Sequence, residues 1–126
     1  MAKSRILLVD DDRLVLEAMG DWLVTQGYAV ETASSYAEGL AALEGGAHDL
    51  ILVDLRLGDQ SGLDLVRRSR QLSGDRPVIL ISGFATLETG IEALRVGAVD
   101  LLTKPLLDEE LDSAIQRALS RKVVTG

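Results

Sequence analysis

Ile6-Leu7-Leu8-Val9-Asp10-Asp11-Asp12 is the stretch that decides the fold of this chain. An unbroken apolar run followed directly by acids predicts a short strand that is buried on both faces and ends at a polar edge. Leu50-Ile51-Leu52-Val53-Asp54 repeats the pattern, and Val78-Ile79-Leu80-Ile81 repeats its apolar part. Strands of this kind are typical of parallel sheets that carry helices on either side.

Longer amphipathic stretches separate the strands and have recognisable helix ends. The first begins after Asp12 and stops before Gly27, and the second runs from Ser35 to Glu44. The other helices follow Ser61-Gly62, span Thr86 to Val96 and include Leu107 to Ala118, and the strands are Ile6 to Val9, Ala29 to Thr32, Leu50 to Val53, Val78 to Ile81 and Val99 to Thr103. This alternation predicts an α/β fold, a flavodoxin-like (βα)5 three-layer sandwich whose parallel sheet has the strand order 2-1-3-4-5.

Length and composition limit both the architecture and the class of function. The 126 residues, 47% of them hydrophobic, fit a single domain with a core of about residues 4–121; residues 122–126 are a tail or the start of a linker. A formal charge of −7 argues against nucleic-acid binding by this domain, because such binding needs Lys and Arg to neutralise phosphates. The chain has no cysteine, no secretion signal and no apolar run as long as a membrane span, so we expect a cytoplasmic location.

Polar residues collect at the carboxyl ends of the predicted strands, where open parallel sheets bind ligands. Asp10, Asp11 and Asp54 would share one pocket, and clustered carboxylates favour a hard divalent cation such as Mg²⁺. Lys104 would supply a positive charge and Ser82 a hydroxyl donor on the other side. Such a pocket suits phosphoryl transfer, and Asp54 is the best candidate nucleophile, which would give an aspartyl-phosphate.

Several ordered fragments together resemble the receiver domains of bacterial two-component response regulators, in the CheY-like superfamily. The resemblance covers about Ser4 to Arg121. The fragments are Ile6 to Asp12, Leu52-Val53-Asp54-Leu55-Arg56-Leu57 with Gly62 eight residues after Asp54, Ile81-Ser82-Gly83, and Gly97-Ala98-Val99-Asp100 leading to Lys104-Pro105. The resemblance implies that Asp54 is the phosphoacceptor and that the Lys104–Pro105 peptide is cis.

The resemblance also implies the ligands of the metal. Asp11, Asp54 and the backbone carbonyl of Arg56 would bind Mg²⁺ directly, and Asp10 would bind it through water.

Two further residues are assigned to the phosphoryl group by the resemblance. Ser82 would donate a hydrogen bond to it, and Lys104 would form an ion pair with it.

The biological role implied by the resemblance is phosphorylation-dependent signalling. A sensor histidine kinase or phosphotransfer protein would supply the phosphoryl group, and the domain would catalyse only its own phosphorylation and slow dephosphorylation, without acting as a turnover enzyme. The output face would be the fourth helix, fifth strand and fifth helix, through which a homodimer is also expected. A C-terminal effector domain is expected after Gly126, and Gly97-Ala98-Val99-Asp100 is similar to receivers of transcription regulators of the NtrC and FixJ types.

Departures from the family pattern keep two alternatives open. Leu101 occupies the position of the family's aromatic switch residue, and the loop from Leu55 to Gly62 lacks the common Met-Pro. One alternative is therefore a degenerate receiver that acts as a phosphorylation-independent interaction module. The other is a haloacid-dehalogenase-like phosphatase with Asp10 as nucleophile, although Arg13 replaces the glycine that usually follows that motif.

Residues outside the predicted pocket have structural interpretations. We expect His48 at the surface and Trp22 partly buried against the sheet. Arg67, Arg68 and Arg70 are expected to form a solvated helix face.

Overall fold

A computed structural model of the protein describes residues 3–121, and for residue 121 only the backbone. The predicted tail at 122–126 lies outside the described residues. In chain order the elements are β1 (Arg5–Val9), α1 (Arg13–Thr25), β2 (Ala29–Ala33), α2 (Tyr36–Gly45), β3 (Leu50–Asp54), β4 (Arg56–Leu57), β5 (Gln60–Ser61), α3 (Gly62–Leu72), β6 (Val78–Ser82), α4 (Leu87–Val96), β7 (Asp100–Thr103) and α5 (Asp108–Arg121).

Five parallel strands form one sheet in the order β2-β1-β3-β6-β7. Because β4 and β5 form a separate hairpin, this is the predicted order 2-1-3-4-5, and the flavodoxin-like fold is confirmed. The register places Val9 beside Val53, so that the residues that follow β1 lie next to the end of β3. The topology therefore brings the acids of both strands to one edge.

The sheet separates two hydrophobic cores, as expected for strands that are buried on both faces. On one side, Ile6, Leu8 and Leu52 pack with residues of α1 and α5. On the other side, Leu7 and Val53 pack with residues of α2, α3 and α4. Trp22 is partly buried against the first core, as predicted.

Local signals in the sequence fix the helix ends. The Asp12 side chain caps α1 by accepting hydrogen bonds from the backbone N–H groups of Leu14 and Val15, at 2.9 and 3.4 Å. Gly97 ends α4 with φ +98°, a left-handed conformation that favours glycine. Among residues 3–121, no helix has the length and apolar character needed to cross a membrane.

Two features differ from the sequence-based expectations. The β4–β5 hairpin was not predicted, because strands of two residues are too short to show an alternating pattern. The expectation for His48 was wrong: its side chain is 1% exposed, and its Nε2 pairs with Oε1 of Glu31 at 2.8 Å. The Glu31 carboxyl gives one nitrogen of the buried ring a partner, whereas Nδ1 has none among the described residues.

Candidate functional site

Asp10 and Asp54 lie side by side at the carboxyl edge of the sheet. Asp54 is the last residue of β3, and Asp10 follows β1, the neighbouring strand. Both residues are buried, with 3% of Asp10 and 8% of Asp54 exposed. Asp11, the next residue along the chain, is exposed. The acids thus form a cluster that is closed toward the protein and open toward solvent.

Lys104 completes this cluster from the opposite side. It follows β7, and its Nζ lies 2.6 Å from Asp54 Oδ2 and 3.2 Å from Asp10 Oδ2. The backbone N–H of Lys104 donates to the Ser82 carbonyl at 2.7 Å, which fixes the chain direction after the strand. The Lys104–Pro105 peptide is cis, as the resemblance implies. One ammonium group therefore bridges two carboxylates.

The site is electrostatically asymmetric because it holds more acids than bases. Burial raises the pKa of Asp10, and the negative charge of Asp54 adds to this effect; the Asp12 N–H and Lys104 oppose it without cancelling it. Burial alone would lower the pKa of Lys104, but the hydrogen bond and charge of Asp54, together with Asp10, hold that pKa above its ordinary value. The pocket therefore favours an additional positive charge.

Backbone N–H groups orient each acid. Asp10 Oδ1 accepts from Asp12 N–H at 2.9 Å, and Asp54 Oδ1 accepts from Arg56 N–H at 2.9 Å. Asp11 Oδ2 accepts from Gly58 N–H, also at 2.9 Å. Each carboxylate keeps further lone pairs for a ligand, because a carboxylate has about four acceptor positions.

The donor set fits a hard divalent cation. One carboxylate oxygen from each of Asp10, Asp11 and Asp54 can be chosen so that all lie within 4.8 Å of one another. Oxygen-only ligands, incomplete enclosure and room for water are what Mg²⁺ requires. Among the described residues, these three acids can hold a cation at the sheet edge.

Ser82 is placed beside the site but is engaged elsewhere. It ends β6, is 3% exposed, and its Oγ donates to the Phe84 carbonyl at 2.8 Å. The same Oγ accepts from Phe84 N–H at 3.1 Å. The single hydroxyl proton of Ser82 is therefore directed at the Phe84 carbonyl and must turn away from it before it can be donated to a group on Asp54.

Leu101 lies on β7, half-buried, and packs against the core on the side of α3 and α4. The structure thus brings Asp10, Asp11, Asp54 and Lys104 together, whereas Leu101 contacts the helical layer behind them.

Gly58 is the residue at the site that the sequence analysis missed. It begins the two-residue turn between β4 and β5 and has φ +65°. A Gly-Asp pair at this spacing is a hairpin signal in which glycine takes the first central position. That signal was present in the sequence, although it would not have indicated the contact with Asp11.

An open groove adjoins the site on the side of α1. It has a volume of about 520 Å³. Its walls are Val15, Ala18, Met19, Lys104, Pro105 and Leu106. This mostly apolar groove leads directly to the Lys104 side chain.

Comparisons with known proteins agree with this geometry. The family profile described as response regulator receiver domain matches residues 6–116. The alginate biosynthesis transcriptional regulatory protein AlgB of Pseudomonas aeruginosa is 35% identical over 124 residues, which are 98% of this chain and 28% of that protein. Response regulator protein TodT of Pseudomonas putida is 38% identical over 116 residues, which are 92% of this chain and 51% of that protein.

A solved structure matches over nearly the full length. It is a response regulator receiver domain protein (CheY-like) from Methanospirillum hungatei JF-1, with a TM-score of 0.94 and 33% identity; the match covers 99% of this chain and 100% of that one. By contrast, the chain spans only about half or less of the two curated relatives.

Proposed function

The chain belongs to the response regulator receiver domain family, and from this premise we propose that it is a phosphoacceptor domain that takes a phosphoryl group onto Asp54. The observation that carries the proposal is the convergence of three acids and Lys104 at one sheet edge, with Lys104 Nζ 2.6 Å from Asp54 Oδ2. A carboxylate nucleophile beside a fixed cation is suited to phosphoryl transfer.

The reaction exchanges one bond to phosphorus for another. An oxygen of the ionised Asp54 carboxylate attacks the phosphorus of a partner's phosphohistidine; the P–O bond forms as the P–N bond breaks, and the imidazole leaves with the bonding pair. Lys104 then loses its place beside the free carboxylate and pairs with the phosphoryl oxygens. The product is an acyl phosphate on Asp54, so the domain catalyses its own modification and does not turn over a substrate.

Mg²⁺ is the metal that this proposal requires. Asp11, Asp54 and the Arg56 carbonyl would hold it directly, and Asp10 would hold it through water. Mg²⁺ when bound supplies charge neutralisation for the phosphoryl oxygens. Asp10 and Asp54 crowd negative charge in a buried place, and this raises the pKa of Asp10, so the protein's own electrostatics favour that role.

The partner that supplies the phosphoryl group would dock beside Lys104. The groove lined by Val15, Met19 and Leu106 adjoins the site and is mostly apolar, which suits an amphipathic helix of a histidine kinase or phosphotransfer protein. The negative net charge of this chain supports a protein partner over nucleic acid.

The output would be read on the face formed by α4, β7 and α5. Ser82 would leave Phe84 and bond to the phosphoryl group, and the segment leading into α4 would follow. This segment and α4 carry exposed apolar side chains on a surface available to a partner or a second copy: Phe84, Leu87, Ile91 and Leu94. Identical α4 exchange protection with and without a phosphoryl analogue would contradict this part of the proposal.

The parent protein would couple this domain to an effector. AlgB and TodT are longer than the chain, and AlgB is named as a transcriptional regulator. We therefore propose a cytoplasmic transcription regulator in which a domain after Gly126 responds to phosphorylation. The phosphatase alternative with Asp10 as nucleophile has no support from the family assignment.

Intact mass after incubation with a small-molecule phosphodonor tests the proposed chemistry. We expect one phosphoryl adduct in Mg²⁺, none in chelator and none for Asp54→Asn. Asp59→Asn is the matched control, because Asp59 is an exposed acid in the nearby hairpin, and it should keep the adduct. Absence of an adduct from the unmodified chain in Mg²⁺ would favour the phosphorylation-independent interaction module.

A further inference from the structure

The β4–β5 hairpin is attached to the acid cluster at both its base and its tip. At the base, Arg56 N–H donates to Asp54 Oδ1 at 2.9 Å. At the tip, Gly58 N–H donates to Asp11 Oδ2 at 2.9 Å, across 47 positions of sequence. The hairpin is thus suspended between two of the three acids that can hold a cation.

The orientation of the Asp11 side chain depends on a hairpin contact, whereas Asp10 and Asp54 are held by other contacts as well. Asp10 and Asp54 are buried and packed, and both bond to Lys104. Asp11 is exposed, and an exposed side chain samples several rotamers unless a bond fixes it. The Gly58 N–H is the contact that holds the Asp11 carboxylate toward Asp10 and Asp54.

The hairpin tip has a backbone conformation that favours glycine. Gly58 has φ +65° and begins the turn that the Leu57–Gln60 pair closes. A positive φ at the first central position of a two-residue turn favours glycine, and this backbone points its N–H at Asp11. A Cβ added at Gly58 would meet nothing within 4 Å, so the requirement is conformational and not steric.

We propose that Gly58 is a positioning residue for the metal site: its backbone N–H preorganises the Asp11 carboxylate for Mg²⁺. This inference rests on the proposed function, because it assumes that Asp11 is a Mg²⁺ ligand. A ligand fixed before binding loses less conformational entropy when the metal arrives, so the N–H raises affinity without contacting the metal.

Chemical synthesis can remove this hydrogen-bond donor alone. The chain has no cysteine, so segments joined at cysteines placed at Ala47 and Ala85 can be desulfurised to the native sequence. An ester oxygen in place of the Gly58 amide N–H deletes the donor and adds no side chain. Gly58→D-Ala is the matched control, because a D-residue accepts a positive φ and keeps the N–H.

Calorimetric titration with Mg²⁺ alone measures the result. We expect the ester to raise the Mg²⁺ dissociation constant about five- to tenfold, because the Asp11 side chain, once freed, must be ordered as the metal binds. The Mg²⁺ dissociation constant of Gly58→D-Ala should stay within twofold of that of the unmodified chain, and all three proteins should unfold cooperatively without metal. If the ester and the unmodified protein bind Mg²⁺ with equal affinity, the proposed role of Gly58 is wrong, but the proposed metal site is not affected. An unmodified chain that binds no Mg²⁺ would overturn the proposed metal site, and with it this inference.

Discussion

Lys104 and Asp54 lie 50 positions apart in the sequence, yet their side chains form an ion pair of 2.6 Å. The distance is short because β6 alone separates β3, which ends in Asp54, from β7, which precedes Lys104. The Lys104 side chain is 30% exposed and that of Asp54 is 10% exposed, so the pair is partly shielded from water. Its loss should therefore affect stability more than the loss of a surface pair would.

Lys104→Met should lower the free energy of unfolding by about 2 kcal/mol at pH 7, because it leaves two buried carboxylates without their cation. Added Mg²⁺ should restore part of the loss. Lys3→Met is the matched control, since Lys3 is exposed and the charge change is the same. Urea unfolding, followed by circular dichroism, measures both variants. Equal stabilities of the two variants would contradict the structural importance of the pair.

The pH dependence of the same pair follows from the raised pKa of Lys104. A base whose pKa is higher in the folded state stabilises the fold fully below its unfolded pKa of 10.5 and loses that contribution as pH rises through the folded value. The stability difference between the unmodified chain and Lys104→Met should therefore be constant from pH 7 to pH 9 and shrink above the unfolded pKa. If the stability difference between the two proteins grows as pH rises above the unfolded pKa, the pKa of Lys104 is lowered in the fold and not raised.

Asp10→Asn should stabilise the metal-free protein at pH 7. Burial and the charge of Asp54 raise the pKa of Asp10, so its ionised form is disfavoured in the fold. The destabilisation by ionised Asp10 is present above its folded pKa and vanishes as pH falls to the ordinary value of 3.8. The difference in unfolding free energy between Asp10→Asn and the unmodified chain should therefore fall to zero over the same pH interval. If the acids bind Mg²⁺ as proposed, excess Mg²⁺ should reverse the order of the two stabilities, because the unmodified site gains more from the metal than the variant does.

Gly62→Ala should destabilise the fold by about 2 kcal/mol or more. Gly62 begins α3, and a Cβ there would overlap the carbonyl oxygen of Asp54, a backbone atom that cannot move without shifting β3. The comparison variant is Gly90→Ala, within α4, where a Cβ meets nothing within 4 Å. Gly90→Ala should gain up to about 1 kcal/mol from helix propensity. Thermal unfolding measures both variants: the melting temperature should fall for Gly62→Ala and rise for Gly90→Ala.

The sequence was sufficient to predict the sheet and the acid cluster because both follow from short-range patterns. The apolar runs that end in Asp10 and Asp54 mark strands buried on both faces, and parallel topology brings their carboxyl ends to one edge. Helix ends at Asp12 and Gly97 were likewise visible as a capping acid and a terminal glycine.

What the sequence did not reveal depends on contacts between distant segments. His48 is a lone polar residue before a strand, and only the packing of β2 shows that Glu31 lies 2.8 Å from its ring. Ser82 was predicted to lie at the site and to bond to a phosphoryl group. In the structure its hydroxyl bonds to Phe84 instead, and no pattern of residues indicates that contact. Such details require the geometry of side chains.

We predict that Ser82 holds the segment that leads into α4 in place through its two hydrogen bonds to the Phe84 backbone. Its buried hydroxyl donates to the Phe84 carbonyl at 2.8 Å and accepts from the Phe84 N–H at 3.1 Å. Ser82→Ala should therefore free the Phe84 amide, speed its hydrogen exchange about tenfold, and lower stability by about 1 kcal/mol. Ser120→Ala, at an exposed position in α5, is the matched control and should change neither quantity.

Exchange of the same amide reports whether the Ser82–Phe84 hydrogen bonds break when a phosphoryl group is on Asp54. If Ser82 Oγ moves out of this turn to reach a phosphoryl analogue on Asp54, both of its bonds to Phe84 are lost. The Phe84 N–H of the unmodified chain with the analogue should then exchange as fast as that of Ser82→Ala without it, and the analogue should add little further change to the variant. Amide-resolved exchange by NMR makes the comparison. A Phe84 amide that stays protected in the presence of the analogue would show that Ser82 keeps its local turn and that the signal leaves the site by another route.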